Sequence, residues 1–217
     1  MEWDIEKSES MWIEQLRKGK NLMQRIKAVQ ALAKKGSQES LQALGEVLLG
    51  DEFWGLQVEI AKALGNVKTE SALDYLLEGK DLSDSRARTA VARALGEFFQ
   101  NDKAFETLKE LSQDKESYFV VSSAAASIGK TKHEQAFNFL KGGVKNAPES
   151  WHNIIKQGYL KGLGETENEK AIEILKKHLQ KGTDDYLRRL MPELLAKLGK
   201  KHKKKHPDIK EIMEKLL

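Results

Sequence analysis

Ile60-Ala61-Lys62-Ala63-Leu64-Gly65 and Val91-Ala92-Arg93-Ala94-Leu95-Gly96 are near copies of one another, 31 residues apart. The same alternation of small and large apolar residues, closing on Leu-Gly or Ile-Gly, returns as AAASIG at 124–129, YLKGLG at 159–164 and LLAKLG at 194–199. A degenerate copy, VQALA, occupies 29–33. Successive glycines are 31, 33, 35 and 35 residues apart, and Ala33 lies 32 residues before Gly65. A near-constant period of this size marks a repeat architecture. Small residues at these positions let helices approach closely while leucines fill the space between them. The glycine is expected to supply the left-handed conformation that ends each helix.

Upstream of most copies an acid opens the stretch: Asp51, Asp81 or Asp84, Asp114, and Asp184 or Asp185. It suits a helix N-terminus, where a carboxylate caps free N–H groups and faces the positive end of the dipole. A long polar or basic residue often follows, as Arg25, Gln57, Arg88 and Lys156. Between copies, apolar residues at helical spacing (Leu41, Leu44, Val47, Leu48; Ala104, Phe105, Leu108, Leu111) define a second helix per unit. Helix pairs are therefore expected at 9–35, 38–65, 69–99, 101–129, 132–164 and 167–199. Such pairs cannot bury their apolar faces alone and stack side by side. The expected fold is all-α, a right-handed α-solenoid of about six pairs over 1–199. A Lys/His-rich connector at 200–206 and a C-terminal amphipathic helix at 207–217 follow. That last helix opens with Pro207, suited to a first helical position, and carries Ile209, Ile212, Met213, Leu216 and Leu217 as one stripe. The stripe still running at Leu217 points to a docked capping helix or a chain that continues. Pro192 is expected to kink the last repeat helix or lie near its start.

Composition narrows the chemistry. The 217 residues include no cysteine, so disulfides, thiolate metal sites and a cysteine nucleophile are excluded, and a reducing, cytoplasmic setting is compatible. No apolar run approaches the ~18 residues of a membrane span; the most apolar stretch, 118–128, is short and holds Ser122, Ser123 and Ser127. The opening Met-Glu-Trp-Asp-Ile-Glu is acidic and shows no secretory signal. Five lysines in Lys200–His206 account for the basic balance, since removing them takes the formal net charge from +4 to −1. The body then reads as solvated helix faces of mixed sign.

No site motif emerges. The acids interleave with bases at helical spacing, no Gly-x-Ser-x-Gly elbow exists, and Gly142-Gly143 reads as a helix stop rather than a phosphate loop. No catalytic residue, metal site or cofactor is expected. His202 and His206, four apart, would share a helix face, but the neighbouring lysines oppose a bound cation. His133, His152 and His178 are isolated, and Trp3, Trp12, Trp54 and Trp151 read as packing residues. Arg86, Arg88 and Arg93 form the one local basic cluster and are the candidate partner surface. With the lysine run they would serve nucleic acid, a reading that ranks below a protein partner.

The order of acid, basic residue and Ala-x-Ala-Leu-Gly resembles short HEAT-like repeats of the phycobilisome-lyase type. Two units resemble something narrower: Asp51-Glu52-Phe53-Trp54-Gly55-Leu56 leading into IAKALG, and Asp114-Lys115-Glu116-Ser117-Tyr118-Phe119-Val120 leading into AAASIGKT. Both are similar to segments of the helical region that follows the catalytic domain in prokaryotic M1-family zinc aminopeptidases. The opening stretch, with Trp3, Trp12 and Gln15-Leu16, is similar to the entry of that region. The family's HExxH zinc helix and Gly-x-Met-Glu-Asn segment do not occur; in His133-Glu134-Gln135-Ala136-Phe137 phenylalanine stands where the second ligand would be. The resemblance thus implies a non-catalytic HEAT-repeat domain that packs on a catalytic domain, in the same polypeptide or a separate one, and restricts peptide access. A stand-alone protein–protein interaction scaffold is the alternative.

Overall fold

The computed structural model describes residues 8–51, 53–147, 153–178, 185–202, 206 and 208–209. These contain twelve α-helices and no strand, arranged as six pairs. The first three pairs are α1 (Glu9–Lys18) with α2 (Leu22–Lys35), α3 (Gln38–Gly50) with α4 (Trp54–Val67), and α5 (Glu70–Glu78) with α6 (Ser85–Leu95). The next three are α7 (Asp102–Leu111) with α8 (Tyr118–Thr131), α9 (Ala136–Asn146) with α10 (Ile154–Glu165), and α11 (Ala171–Lys177) with α12 (Asp185–His202). The chain forms two compact units, Met1–Phe98 and Phe99–Leu217, each with three pairs.

Helical spacing of apolar residues builds each core. Leu41, Leu44, Val47 and Leu48 of α3 are buried in unit 1, as are Ala104, Phe105, Leu108 and Leu111 of α7 in unit 2. Each fully buried leucine contributes about 1.5–3 kcal/mol relative to an exposed one. Within unit 1, α4 packs against both α2 and α6; within unit 2, α10 packs against both α8 and α12.

Four of the five repeated glycines do not end helices, and the fifth does so without the left-handed conformation. Gly65, Gly129, Gly164 and Gly199 lie inside α4, α8, α10 and α12, and Gly96 caps α6 at φ −63°. What they provide is close approach. A Cβ at Gly65 would stand 2.8 Å from the Ala94 Cβ, and one at Gly129 would run into the Gly162 backbone. Gly142 and Gly143 likewise lie within α9 rather than stopping it, Gly143 beneath the Tyr159 ring.

The left-handed residue instead lies in a two-residue link three or four positions later, which joins one helix pair to the next. Gly36-Ser37, Lys68-Thr69, Gln100-Asn101, Lys132-His133 and Glu167-Asn168 pair a residue at φ +50° to +65° with one that accepts a following backbone N–H. These links recur at 32, 32, 32 and 35 residues. Only the first uses glycine, so the other four hold a side chain in the left-handed region at about 1–2 kcal/mol each.

The loop acids also differ from expectation. Asp84 does cap α6, accepting from the Arg86 N–H at 2.8 Å. Asp51 and Asp114 instead stand two and three residues before the cap positions Phe53 and Ser117, and order the loop by accepting from the N–H of Phe53 and of Glu116 and Ser117. Asp81 lies in a 3-10 turn, Gly79–Asp81, and Asp185 opens α12, while Asp184 is outside the described residues. Pro192 lies inside α12. Of the expected C-terminal helix, Asp208 and Ile209 are helical, with Ile209 buried against Gly199; Pro207 and the rest of its apolar stripe lie outside the described residues.

Candidate functional site

Three of the four long polar residues eight positions before a repeat mark, Arg25, Gln57 and Arg88, are structural. Arg25 Nε donates to Leu16 O at 2.7 Å, Gln57 Nε2 to Leu48 O and Asp51 O at 3.1 and 2.8 Å, and Arg88 Nη1 to Leu82 O and Ser83 O at 2.8 and 2.9 Å. Each satisfies carbonyls left open where the first helix of its pair ends. The candidate surface Arg86, Arg88 and Arg93 is therefore divided by the fold. Arg88 is 6% exposed and committed to those carbonyls, so it is no surface residue. Arg86 is exposed, forms an ion pair with Asp84 at 2.6 Å and lies 3.9 Å from the centre of the Trp54 ring. Arg93 is exposed.

What the three arginines do mark is a charge-sorted layer. In unit 1 the second helices α2, α4 and α6 hold eight basic residues and one acid, Glu59, whereas α1, α3 and α5 hold two basic residues and seven acids. The whole-chain charge conceals this separation; summing helix by helix reveals it. In unit 2 the second helices hold eight basic residues and three acids, and the first helices six and four.

Grooves run between successive second helices. One of ≈ 630 Å³ lies between α2 and α4, with Val29, Ala33, Ala63 and Val67 in its wall and Lys34 and Lys62 at its rim. A second, of ≈ 490 Å³, is formed by α8, α10 and α12 and brings Lys130, Lys161 and Arg189 together with Glu165 and Glu193. The two use corresponding repeat positions, three before and one after the mark: Gln30 and Lys34, Lys62 and Asn66, then Ala126 and Lys130, Lys161 and Glu165. Both volumes fall in the range of ligand-sized clefts.

Apolar residues stand exposed where second helices begin. Leu22 and Met23 do so at α2, Phe53 at 45% exposure beside α4, and Tyr118 and Phe119 at 52% and 57% at α8. Trp12 and Trp54 are half-buried in unit 1; Trp3 and Trp151 are outside the described residues.

The histidines are tied into packing. His133 stacks on Phe105 with ring centres 4.0 Å apart. Its Nδ1 accepts from the Gln135 N–H at 3.3 Å, which leaves Nε2–H to donate to Asp102 Oδ1 at 2.9 Å. His202 and His206 do not face a common ligand: the first donates to Glu167 O at 2.9 Å and the second pairs with Glu169 at 3.3 Å. His178 donates to Ile174 O, and His152 is outside the described residues. Among the described residues no three His, Asp or Glu are grouped to hold a metal, and no helix is long and apolar enough to cross a membrane.

Perturbed carboxylates mark links between helices. Hydrogen bonds from Ser37 and Ser40, with Lys35 nearby, hold Glu9 at about 2; the Arg86 guanidinium holds Asp84 at about 2. Lys132 and Lys201 together hold Glu167 at about 2, joining the links after α8 and α10 to α12. None of the three lines either groove.

The family model for HEAT repeats matches residues 9–96 and 79–152. The chain belongs to the HEAT repeat family. Among solved structures, the HEAT fold here is similar to that of an engineered protein at a TM-score of 0.52 and 17% identity, covering 89% of this chain and 97% of that one. Human deoxyhypusine hydroxylase in complex with glycerol matches at a TM-score of 0.45 and 13% identity, over 88% of this HEAT chain and 95% of its own. The complex of CpcE and CpcF of phycocyanin lyase from Nostoc sp. PCC7120 matches at 0.45 and 16%, over 100% and 99%. No curated protein matches. A shared fold leaves activity to be argued from the site.

Proposed function

We propose that this HEAT chain is a non-catalytic protein-interaction scaffold that binds its partners in the grooves between second helices. The observation that carries the reading is the recurrence of an open groove of ligand-sized volume at corresponding repeat positions in both units. Selection of a displayed peptide library against the whole chain tests it. Binders are expected to lose at least tenfold in affinity with Ala63→Phe, which fills the first groove, or with Leu190→Arg, which alters the second. Binders indifferent to both variants would overturn the reading.

A second reading is a domain resembling the C-terminal region of an M1-family aminopeptidase, packing on a catalytic domain and restricting peptide access. It is favoured by the exposure of Phe53, Tyr118 and Phe119, the aromatic residues of the segments that carry the resemblance. Aromatic anchors of this kind are what a docked domain covers. The reading frame upstream of the Met1 codon tests this: an in-frame HExxH domain supports it, and an unrelated domain or a stop codon contradicts it.

A further inference from the structure

We propose that the groove between α2 and α4 receives an acidic, aliphatic peptide segment of a protein partner, anchored by Lys27 and Lys34. This rests on the scaffold reading and gives the partner a chemical class.

The sign of the occupant follows from which cations are spoken for. Among the eight of the layer, Arg25 pairs with Asp51 at 2.5 Å, Lys35 with Glu9 at 2.9 Å, Lys62 with Glu59 at 2.6 Å and Arg86 with Asp84 at 2.6 Å, and Arg88 is buried on carbonyls. Lys27, Lys34 and Arg93 are exposed and have no ion-pair partner among the described residues. Lys62 is itself a rim residue, and its pair with Glu59 is a solvent-exposed contact of the sort that exchanges at little cost. No uncommitted acid stands on α2, α4 or α6 to repel a carboxylate.

Geometry supplies the spacing. Lys27, Gln30 and Lys34 fall at i, i+3 and i+7, one stripe of α2. Seven residues of helix place the two ammonium-bearing positions about 10 Å apart. An extended chain advances about 3.3 Å per residue and turns every second side chain to one face, so acids two or four residues apart share a face and span about 7–13 Å, within reach of both long lysine side chains. Residues between those acids face a floor of Val29, Ala33, Ala63 and Val67, which suits aliphatic side chains. Nucleic acid fits this surface less well. A duplex presents one phosphate per about 1.7 Å and gains most from many free cations, whereas three are uncommitted here and the floor between the helices is aliphatic. The corresponding groove of unit 2 holds two acids, Glu165 and Glu193, beside its cations, where this one holds Glu59 alone, paired with Lys62.

The test is fluorescence anisotropy with the whole chain and three labelled peptides that share leucine and valine positions and carry aspartate, serine or lysine between them. A labelled DNA duplex forms the fourth arm. The acidic peptide should bind at least tenfold more tightly than the serine peptide, and the lysine peptide and duplex more weakly still. Lys27→Glu with Lys34→Glu should abolish the preference for acid, and Ala63→Phe should weaken binding at least tenfold. Lys145→Glu on α9, exposed and outside both grooves, should leave it unchanged. Thermal melts confirm that each variant folds. Equal binding of acidic and serine peptides, both lost with Ala63→Phe, overturns the proposal while preserving the scaffold reading. Tighter binding of the duplex overturns it in favour of a phosphate-binding layer. Binding of no peptide, or binding untouched by Ala63→Phe, removes the acidic site and counts against the first groove as well.

Discussion

Unit 1 and unit 2 use the same helix-pair repeat but differ in how their second helices meet and in where their charges lie. In unit 1, α4 and α6 approach through Gly65, where an added Cβ would stand 2.8 and 2.9 Å from the Cβ and Cα of Ala94. In unit 2, α8 and α10 approach through Gly129, Gly158 and Gly162, where an added Cβ meets backbone atoms of Gly162, Ser122 and Ala125. Unit 1 segregates basic second helices from acidic first helices, whereas unit 2 mixes both signs in both layers. One repeat can thus spend its small residues on a dense backbone contact or its surface on a single-sign face, and Leu-Gly marks alone do not distinguish the two.

The largest expected effect breaks the packing side of this contrast. Gly129→Ala drives a methyl deep into the Gly162 backbone and should cost about 3 kcal/mol, while Gly65→Ala, whose overlap with Ala94 Cβ at 2.8 Å and Cα at 2.9 Å is shallower, should cost about 1–2 kcal/mol. Gly142→Ala, with nothing within 4 Å, should stabilise by about 0.5–1 kcal/mol. Urea denaturation of the whole chain measures all three; equal losses at 65 and 129 would erase the distinction.

Next in size is the carbonyl staple of unit 1. Arg88→Met should cost about 2–3 kcal/mol, because Leu82 O and Ser83 O lose a charged donor. Gln57→Leu should cost about 1 kcal/mol. In unit 2 apolar Val121 holds the corresponding place in α8, so that helix has no such side-chain donor to lose. Chemical denaturation of the two variants orders them.

Acid sharpens the comparison from another side. A depressed carboxylate pKa stabilises above its ordinary value, near 4.5, and the benefit disappears as pH falls toward the folded value of about 2. Glu167→Gln should therefore lower the denaturation midpoint at pH 7 and leave it nearly unchanged at pH 2, since only the ionised side chain holds Lys132 and Lys201. A loss of the same size at both pH values would contradict this. The smallest expected effect is Lys68→Gly, which relieves left-handed strain but breaks the 3.2 Å pair with Glu97, for a net change within about 1 kcal/mol by the same measurement.

The six helix pairs were legible because apolar spacing records burial within a helix, as Leu41, Leu44 and Leu48 show. Glycine function was not, because whether a glycine ends a helix or admits a neighbour depends on the neighbour: Gly129 needs Gly162, 33 residues away. The links Lys68-Thr69 and Lys132-His133 escaped reading because lysine carries no turn signal, although the capping residues at 37, 69 and 101 keep a strict period. Arg86, Arg88 and Arg93 stand together in sequence and lie on the basic layer of unit 1, yet one is buried and another is paired. Lys27 and Lys34, unremarkable in sequence, became candidates once the partners of the other cations were known.

The most direct measurement is amide chemical-shift mapping of the whole chain titrated with the acidic aliphatic peptide, at low ionic strength and again at about 1 M salt, where the Debye length is about 3 Å. The account predicts shifts concentrated in α2 and α4 that largely vanish at high salt. Shifts centred on α1, α3 and α5 or on the unit 2 groove, or shifts indifferent to salt, would contradict it.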